Sequence, residues 1–432
     1  MFWEKEVETL PLKELRRLQL SRLKKSLLQA AKSPAYSKIF KAQRISPATV
    51  KTLADLEYLP FTTKEDLRKN FPYGYVTVRK EKIVRVHSSS GTTGRATAVF
   101  HTLGDLEQWT NLVARCMYMA GVRKSDVFQN MMGYGLFTGG LGFHYGAERL
   151  GALTIPAGSG NSKRQIALMR DFETTVVHII PSYALHLWKV FEEMGLDPKR
   201  DTKLRMAFIG AEPHSEATRQ RIEEMYGIEA FNSYGLSEMN GPGVAFECLE
   251  KSGMHVWEDQ FIIEVIDPKT LKVLPDGEEG ELVFTTLMRE GMPLIRYRSK
   301  DLATLFPGPC RCRRTHRRIS RIKGRSDDMF ILKGVNIFPL QIDTTLMNIP
   351  EVGTNYQVVL ERENFQDKMI VRVEVRPEFF KGELRQLENL RRQITEALKS
   401  DLLVTPKVEL VEPDTLPKSE GKAVRVIDKR EI

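Results

Sequence analysis

Residues 205–238, RMAFIGAEPHSEATRQRIEEMYGIEAFNSYGLSE, decide the fold class of this chain. The mostly apolar residues 205–209 predict a buried strand, residues 215–226 have the pattern of a helix, and residues 228–231 predict a second strand. Strand, helix and strand in this order form a βαβ unit, whose right-handed crossover makes the strands parallel. The loops that follow the two strands would then lie at the carboxyl ends of the sheet, where open α/β folds bind ligands.

Each of these two loops carries a carboxylate. Glu212 lies in Gly210–Pro213, and Glu238 ends the predicted loop Asn232–Glu238. A carboxylate at such an edge can hold Mg²⁺, because hard cations take oxygen ligands from carboxylates and phosphates together. Glu238 could equally be a carboxylate at the N-terminus of a helix, where the helix dipole favours negative charge.

The rest of the chain predicts an α/β protein of two domains. Residues 1–326 would form a large N-terminal domain with parallel or mixed sheets, flanking helices and a β-rich subdomain that includes the strand-like residues 281–286. A charged, strand-poor stretch that ends at 324–328 suggests the boundary. Residues 327–432 alternate strand-like runs with the helical pattern of 384–398, which predicts a small α+β domain.

A second polar loop is predicted at Ser88–Gly94, between the strand-like runs 83–86 and 98–100. Glycines let the backbone approach a ligand closely, and hydroxyls add donors beside the backbone N–H groups, so the stretch suits an anion. It is not a Walker P-loop, because Gly94 is followed by Arg95 and Ala96 rather than by Lys and a hydroxyl residue. A solvated turn between two strands would have the same composition.

Composition places the chain among ordinary globular proteins. Its 432 residues, 41% hydrophobic and 28% charged, are enough for two domains with sizeable cores. No apolar run approaches the ~18 residues that a membrane span requires. The first residues contain no apolar segment of the kind found in signal peptides. Four cysteines are too few for a disulfide framework, which is typical of a reducing compartment. We therefore expect a cytoplasmic protein, and from the lack of a long apolar run we expect one that does not bind a membrane.

The formal net charge of +9 raises the question of a nucleic-acid partner. Basic residues crowd the segment 311–325, which could hold the phosphates of RNA or DNA. However, the segment has no interleaved aromatic residues, and no nucleic-acid module surrounds it. The same charge would suit a small polyanion such as ATP or coenzyme A, and a solvated basic face is also open.

Three cysteines and a histidine form a candidate metal site. Cys310 and Cys312 are separated by one residue, and Cys248 lies seven residues before His255. Zinc favours closed tetrahedral sites of this composition, although the C-x-C spacing is shorter than is usual for zinc knuckles and reduced, buried cysteines are the alternative. Because thiolates would be favoured beside so many cations, we expect structural Zn²⁺ here.

Six motifs in this order resemble the adenylate-forming acyl-CoA synthetase superfamily, most closely its phenylacetate–CoA ligase branch. Each motif alone is weak, but their order over nearly the whole chain is specific. The six are Ser89–Gly94, Gly210–Pro213, Tyr234–Glu238, Arg296–Arg298 with Asp301, Gly324–Asp328, and Gly421 with Lys422.

The resemblance implies an ATP-dependent ligase that activates an aryl-acetic acid, phenylacetate above all, as an acyl-adenylate with release of pyrophosphate. The acyl group would then pass to coenzyme A. Two alternatives stay open at this point: a superfamily member that adenylates without forming a CoA thioester, and a nucleic-acid binder that uses the basic segment.

The resemblance also implies residue roles around ATP. Glu238 would hold Mg²⁺, and Lys422 would reach the acyl carboxylate and the α-phosphate. Asp301 and Arg325 would lie at the ribose. The loop around the β- and γ-phosphates would comprise Ser89, Ser90, Gly91, Thr92, Thr93 and Gly94, and the adenine site Ala211, Glu212, Pro213, Asn232, Ser233, Tyr234 and Gly235. One departure is that Arg95-Ala96-Thr97 stands where many members have Pro-Lys.

Three further expectations come from the same resemblance. Tyr134, Phe137, Gly139 and Gly140 match positions that shape an aryl pocket, although aromatic residues and glycines also serve ordinary packing. Asp327 matches a hinge about which the small domain rotates between the two half-reactions. The protein would be a homodimer.

Overall fold

The computed structural model describes residues 1–88, 97–332, 335–363, 366–380, 384–417 and 425–430. The predicted phosphate loop Ser89–Gly94, together with Arg95, lies outside the described residues, and so do Gly421 and Lys422. Among the described residues, none of the helices has the length and the apolar composition needed to cross a bilayer.

The elements alternate along the chain. The helices are α1 (Lys5–Glu8), α2 (Leu12–Ala30), α3 (Pro34–Ala42), α4 (Lys64–Lys69), α5 (Leu103–Ala120), α6 (Thr138–Leu150), α7 (Ser162–Asp171), α8 (Pro181–Glu193), α9 (Pro198–Asp201), α10 (Glu216–Tyr226), α11 (Pro339–Met347), α12 (Pro377–Phe380) and α13 (Leu384–Leu402). The strands are β1 (Arg85–Ser88), β2 (Ala98–His101), β3 (Val127–Asn130), β4 (Leu153–Ile155), β5 (Val176–Ile179), β6 (Met206–Gly210), β7 (Glu229–Leu236), β8 (Gly241–Glu247), β9 (Met254–Val256), β10 (Phe261–Ile266), β11 (Glu279–Thr286), β12 (Tyr297–Phe306), β13 (Arg318–Ile319), β14 (Gly324–Arg325), β15 (Phe330–Leu332), β16 (Val335–Ile337), β17 (Val352–Glu363), β18 (Gln366–Val375), β19 (Lys407–Val411) and β20 (Val426–Asp428). The predicted α/β class is confirmed.

The chain divides into two compact units. The first unit comprises residues 1–158, 175–178 and 231–322, and the second comprises residues 159–174, 179–230 and 323–432.

Two runs of strands organise the first unit. Strands β10, β11, β12, β13, β9, β8 and β7 pair in this order, each antiparallel to the next. Strand β3 pairs in parallel with β4 on one side and with β5 on the other. Strands β1 and β2 form a separate antiparallel pair in which Ser88 lies opposite Ala98. The two strands predicted on either side of the loop are therefore confirmed as a pair, and Ser88 and Ala98, which flank it, are held side by side.

Helix α5 shows why the sequence folds as it does in this unit. A reciprocal capping box between Thr102 and Asp105 begins the helix, and Gly121, with a φ of 108°, ends it. A methyl group added at Gly146 of α6 would lie 2.6 Å from Val113 of α5, so only glycine permits this approach.

The second unit contains the first half of the predicted βαβ pattern. Strand β6 leads into α10, where the Ser215 hydroxyl caps the N-terminus by accepting from the backbone N–H of Thr218. The helix ends at Gly227, with a φ of 67°. Near its C-terminus, β18 lies between β19 and β17, and β20 pairs with β17. Leu390, Ile394 and Leu398 of α13 are buried in the core of this α+β region.

Two expectations about strands were wrong. Asn232, Ser233 and Tyr234 do not lie in a loop, because β7 continues to Leu236. The charged stretch after 296 is not poor in strand either, since β12 runs through it. The reason is charge pairing: Arg298 on β12 donates to both carboxylate oxygens of Glu281 on β11, at 2.9 and 2.8 Å. Paired charges can enter a sheet interior that single charges could not.

Candidate active site

Tyr234 and Asp301 meet in the first unit. The Tyr234 hydroxyl donates a hydrogen bond of 2.6 Å to Oδ2 of Asp301. The Tyr234 ring stacks on Phe284 of β11, with ring centroids 6.1 Å apart. Two residues earlier on β7, the backbone N–H of Asn232 donates to the carboxylate of Glu247 on the neighbouring strand β8, at 2.8 Å. A predicted adenine residue and the predicted ribose carboxylate are therefore adjacent.

Glu238 is buried in a short 3₁₀ turn between β7 and β8. Its Oε1 accepts from the hydroxyl of Thr97, at 3.3 Å. Its backbone carbonyl accepts from Arg289, at 2.5 Å, and the same guanidinium reaches the carbonyl of Phe100 on β2, at 3.4 Å. The predicted magnesium ligand is thus tied to the strand that directly follows the predicted phosphate loop. It does not begin an α-helix.

Arg289 was not singled out from the sequence, since it belongs to no motif. Its side chain is buried, and this burial lowers the pKa of the guanidinium to about 10. The nearby carboxylates of Asp105 and Glu238 act in the opposite direction and raise the pKa, but by less. Among the described residues, its Nε has no hydrogen-bond partner. A buried guanidinium with an unused donor is costly for folding, so its position beside Glu238 points to function.

The adenine residues Ser233 and Gly235 lie on β7 with Tyr234, whereas Ala211, Glu212, Pro213 and Arg325 lie in the second unit. Ala211 directly follows β6 in a left-handed conformation, with a φ of 67°. The Glu212 carboxylate accepts from the Ser182 backbone at the start of α8, at 2.7 Å, so it satisfies a helix N-terminus. Glu212, Pro213 and Arg325 line one cavity of about 300 Å³ in this unit.

The predicted ribose residue and the predicted hinge residue of the second unit form an ion pair. Arg325 donates to both carboxylate oxygens of Asp327, at 2.9 and 3.0 Å. Both side chains are partly exposed, at 32% and 51%. Exposed pairs of this kind contribute little stability, so this one can open at small cost.

The candidate acid pocket centres on Tyr134 in the first unit. Its hydroxyl accepts from the Asn130 amide at 3.1 Å and lies 3.3 Å from Nδ1 of His144. Burial raises the Tyr134 pKa to about 12, so the phenol stays neutral. Asn130 also pairs with His178, at 3.1 Å, and this buried imidazole was not anticipated from the sequence.

The other three pocket candidates begin helix α6. A methyl group at Gly139 would lie 2.4 Å from the Phe137 ring, and one at Gly140 would lie 2.4 Å from the carbonyl of Gly133. Phe137 therefore covers Gly139 directly, and Gly140 is needed for backbone packing. The structure places Phe137 against Gly139, and it gives both glycines a packing role.

The predicted Cys₃His cluster assembles in the first unit. The ligand atoms of Cys248, His255, Cys310 and Cys312 all lie within 4.8 Å of one another. Sγ of Cys248 is 3.7 Å from Sγ of Cys310, and Sγ of Cys312 is 3.3 Å from Nε2 of His255. Hydrogen bonds from Cys248 and then His255 lower the pKa of Cys312 far below its ordinary value.

Two arginines of the basic segment 311–325 are neutralised by carboxylates elsewhere in the protein. Arg314 is buried and pairs with Glu8, at 2.6 Å. Arg317 pairs with Glu258 at 2.8 Å and with Asp276 at 2.9 Å. Two of its arginines thus have their charge satisfied within the protein, which argues against the nucleic-acid alternative.

Known proteins match the chain over almost its whole length. The family model described as AMP-binding enzyme matches residues 18–287, and the model for the AMP-binding enzyme C-terminal domain matches residues 334–430. A phenylacetate-coenzyme A ligase of Aromatoleum evansii is 46% identical over 96% of this chain and 95% of its own length. That of Escherichia coli K12 is 43% identical over 99% of this chain and 97% of its own.

The chain belongs to the phenylacetate–coenzyme A ligase family. It is an acid–CoA ligase of the AMP-forming type, as the motif order predicted. Among solved structures, a 2-hydroxyisobutyryl-CoA ligase in complex with 2-HIB-AMP is similar, with a TM-score of 0.94 and 32% identity. The match covers 99% of this chain and 92% of that chain.

Proposed function

We propose that this ligase joins phenylacetate, or a close aryl-acetic acid, to coenzyme A at the expense of ATP. A carboxylate oxygen of the acid attacks the α-phosphorus of ATP, and the bond to the β-phosphate breaks, releasing pyrophosphate. The CoA sulfur then attacks the acyl carbon, and AMP leaves. The observation that carries the proposal is that similarity to phenylacetate–CoA ligases extends over both the main and the C-terminal family regions.

Asp301 and Tyr234 would act at the ribose. Because Tyr234 donates to Oδ2 of Asp301, the carboxylate is held in one orientation. A carboxylate has about four lone pairs, so it can accept from a ribose hydroxyl in addition. Such positioning, rather than covalent participation, is what phosphoryl-type transfers require of a protein. Arg325 is assigned to the ribose through the resemblance alone.

Glu238 would hold Mg²⁺, which supplies positive charge next to the phosphates. The fit is supported by a buried carboxylate that lies against Thr97, directly after the loop predicted to wrap the β- and γ-phosphates. Lys422 would stabilise the charge that develops as the acid attacks phosphorus. The loop residues Ser89–Gly94 and Lys422 are assigned through the resemblance alone.

Zn²⁺ is proposed as a structural ion at Cys248, His255, Cys310 and Cys312. Sulfur atoms bound to one tetrahedral zinc at about 2.3 Å lie about 3.8 Å apart. The observed Cys248–Cys310 separation of 3.7 Å fits this spacing. A bound ion would fasten the turn before β13 to the β8–β9 hairpin, and it has no step in the reaction.

Further proposals concern organisation. We expect residues 327–432 to rotate as a C-terminal domain about Asp327, and the ligase to be a cytoplasmic homodimer. The rotation is supported by the exposed Arg325–Asp327 pair at the proposed boundary. A cytoplasmic location is supported by four cysteines that are all free of disulfides.

The decisive experiment measures pyrophosphate release with phenylacetate, substituted aryl acetates and straight-chain acids, each with and without CoA. We expect phenylacetate to give the highest kcat/KM, with thioester and AMP formed only when CoA is present. A preference for straight-chain acids would overturn the aryl assignment. AMP release that is independent of CoA would favour the adenylating alternative without thioester formation.

A further inference from the structure

An open groove of about 750 Å³ lies on the first unit, apart from the Tyr234 and Glu238 region described above. Helix α2, the segment 77–82 and the turn 287–290 form its walls. Five cationic side chains and one exposed carboxylate, that of Glu290, line it, and we call this surface the basic groove. The cations are Lys25, Lys32, Arg79, Lys82 and Arg289.

The charge of the basic groove is not neutralised within the described part of the chain. Lys25, Lys32, Arg79 and Lys82 are exposed, and none forms an ion pair there. Lys32 donates only to the amide oxygen of Gln29, at 2.7 Å. By contrast, Arg314 and Arg317 of the positive segment 311–325 are paired with carboxylates of the protein. Uncompensated cations around a concave surface attract and hold polyanions.

The fifth cation connects the groove to the reaction centre. Arg289 lines the groove but is only 3% exposed, and it donates to the carbonyl of Glu238, at 2.5 Å. Its Nε is buried without a hydrogen-bond partner among the described residues. An unused buried donor next to a concave basic surface is satisfied when a ligand or its ordered water supplies an acceptor.

We propose that the basic groove binds the phosphate groups of coenzyme A. This assignment rests on the proposed function, which requires a second polyanion besides ATP. Coenzyme A carries about four negative charges at neutral pH, of which its 3′-phosphate monoester supplies close to two. Four exposed cations against the single carboxylate of Glu290 give the groove an excess of positive charge for such a ligand.

The groove also has the size and the location for this ligand. Pockets that hold ligands of this kind measure roughly 300–1,000 Å³, and the basic groove lies within that range. The loop that the resemblance assigns to the ATP phosphates is residues 89–94, whereas the groove is built from other segments. ATP and pyrophosphate share the phosphate chemistry, so the test must distinguish them from coenzyme A.

The experiment compares two charge reversals with matched neighbours. Lys25→Glu and Lys82→Glu change the groove, while Lys24→Glu and Lys80→Glu make the same change at exposed positions that do not line it. We expect each groove variant to raise the KM for CoA about tenfold and the KM for ATP less than twofold, with the neighbours close to wild type. Dephospho-CoA lacks the 3′-phosphate. Replacing CoA by dephospho-CoA should therefore raise the KM of the groove variants by a smaller factor than it raises the KM of the wild type.

Direct calorimetric titration with CoA makes the result independent of turnover. Groove variants that bind CoA as tightly as their neighbours would overturn the proposal. A higher KM for ATP, or weaker inhibition by pyrophosphate, with no change for CoA would overturn it in favour of ATP-derived phosphates. A wild type that binds CoA through the groove but shows no acid-dependent ATP–pyrophosphate exchange would support the groove and refute the proposed function.

Discussion

The phenolic oxygen of Tyr234 lies 2.6 Å from Oδ2 of Asp301, a residue 67 positions further along the chain. Tyr234 stands near the end of β7 and Asp301 inside β12. The hydrogen bond therefore makes one positioning unit of two side chains that only the fold of the first unit brings together.

We expect Tyr234→Phe to raise the KM for ATP at least about tenfold, since a buried hydrogen bond to a charged group contributes on the order of 1.5–3 kcal/mol and each 1.4 kcal/mol is a factor of about ten. The value of kcat should change less than twofold, because Asp301 binds the ribose equally in the ground and transition states. Steady-state kinetics with varied ATP checks this.

Tyr226→Phe is the matched control, since that buried hydroxyl donates to the Ala184 carbonyl in the second unit, at 2.7 Å. It should lower the free energy of unfolding by about 1 kcal/mol and leave the KM for ATP unchanged. Equal effects of the two variants on the KM would show that the Tyr234 contact is structural.

Lys422→Ala should abolish adenylation while leaving ATP binding largely intact. We expect acid-dependent ATP–pyrophosphate exchange to fall by at least ~10²-fold, because charge stabilisation in the transition state is lost. Calorimetry should give an ATP Kd within threefold of wild type. Lys429→Ala, which removes an exposed lysine paired with Glu361, is the control. Exchange that survives Lys422→Ala would mean that another group fills this role.

Protein purified without chelators should contain one zinc per chain by elemental analysis. Cys312→Ser should lose the ion and lower the Tm, because a structural zinc contributes directly to folding. Cys116→Ser is the control, since that buried thiol contacts Trp257 and lies outside the cluster. Wild-type protein without stoichiometric metal would refute the zinc site and leave four reduced thiols.

Acid should destabilise the fold partly through His178. Burial lowers its pKa to about 3, from 6.5 in the unfolded chain. As the pH falls below 6.5 the unfolded state takes up this proton first, so stability is full above that pH and declines towards pH 3. Between pH 7 and 5 the loss from this one group is about 2 kcal/mol.

His178→Gln removes that titration. Urea unfolding at pH 7, 6 and 5 should therefore show a weaker pH dependence for His178→Gln than for wild type, by about 2 kcal/mol over the range. His186→Gln, at a partly exposed position on α8, should keep the wild-type slope. Parallel slopes for all three proteins would mean that His178 can be protonated in the folded state.

Local pattern was sufficient for the elements and for the family. Residues 215–226 have a helix spacing, a Ser at the N-cap and a Gly at the end, and α10 follows these signals within one residue. The strands around residues 88–98 and the small α+β region were equally readable. The pattern failed at β12, because Arg298 looks like a surface residue until Glu281 is known to lie beside it.

The candidate site was only partly readable. Tyr234, Glu238 and Asp301 stand in motifs, but Arg289 has no local signal, because its role comes from the carbonyl groups of Glu238 and Phe100. Similarly, Lys25 and Lys82 are ordinary surface lysines in the sequence, and they share one groove only because α2 and the segment 77–82 lie together.

The sequence by itself therefore determined the fold class, the family and the residue types available for chemistry, since periodicity, capping and motif order are properties of neighbouring residues. Tertiary structure alone decided which charges are neutralised and which remain free. It paired Arg314 and Arg317 with carboxylates far away in the chain, and within the described residues it left the four exposed cations of the basic groove without an ion pair. Coulomb attraction depends on distance in space, which a linear pattern does not contain.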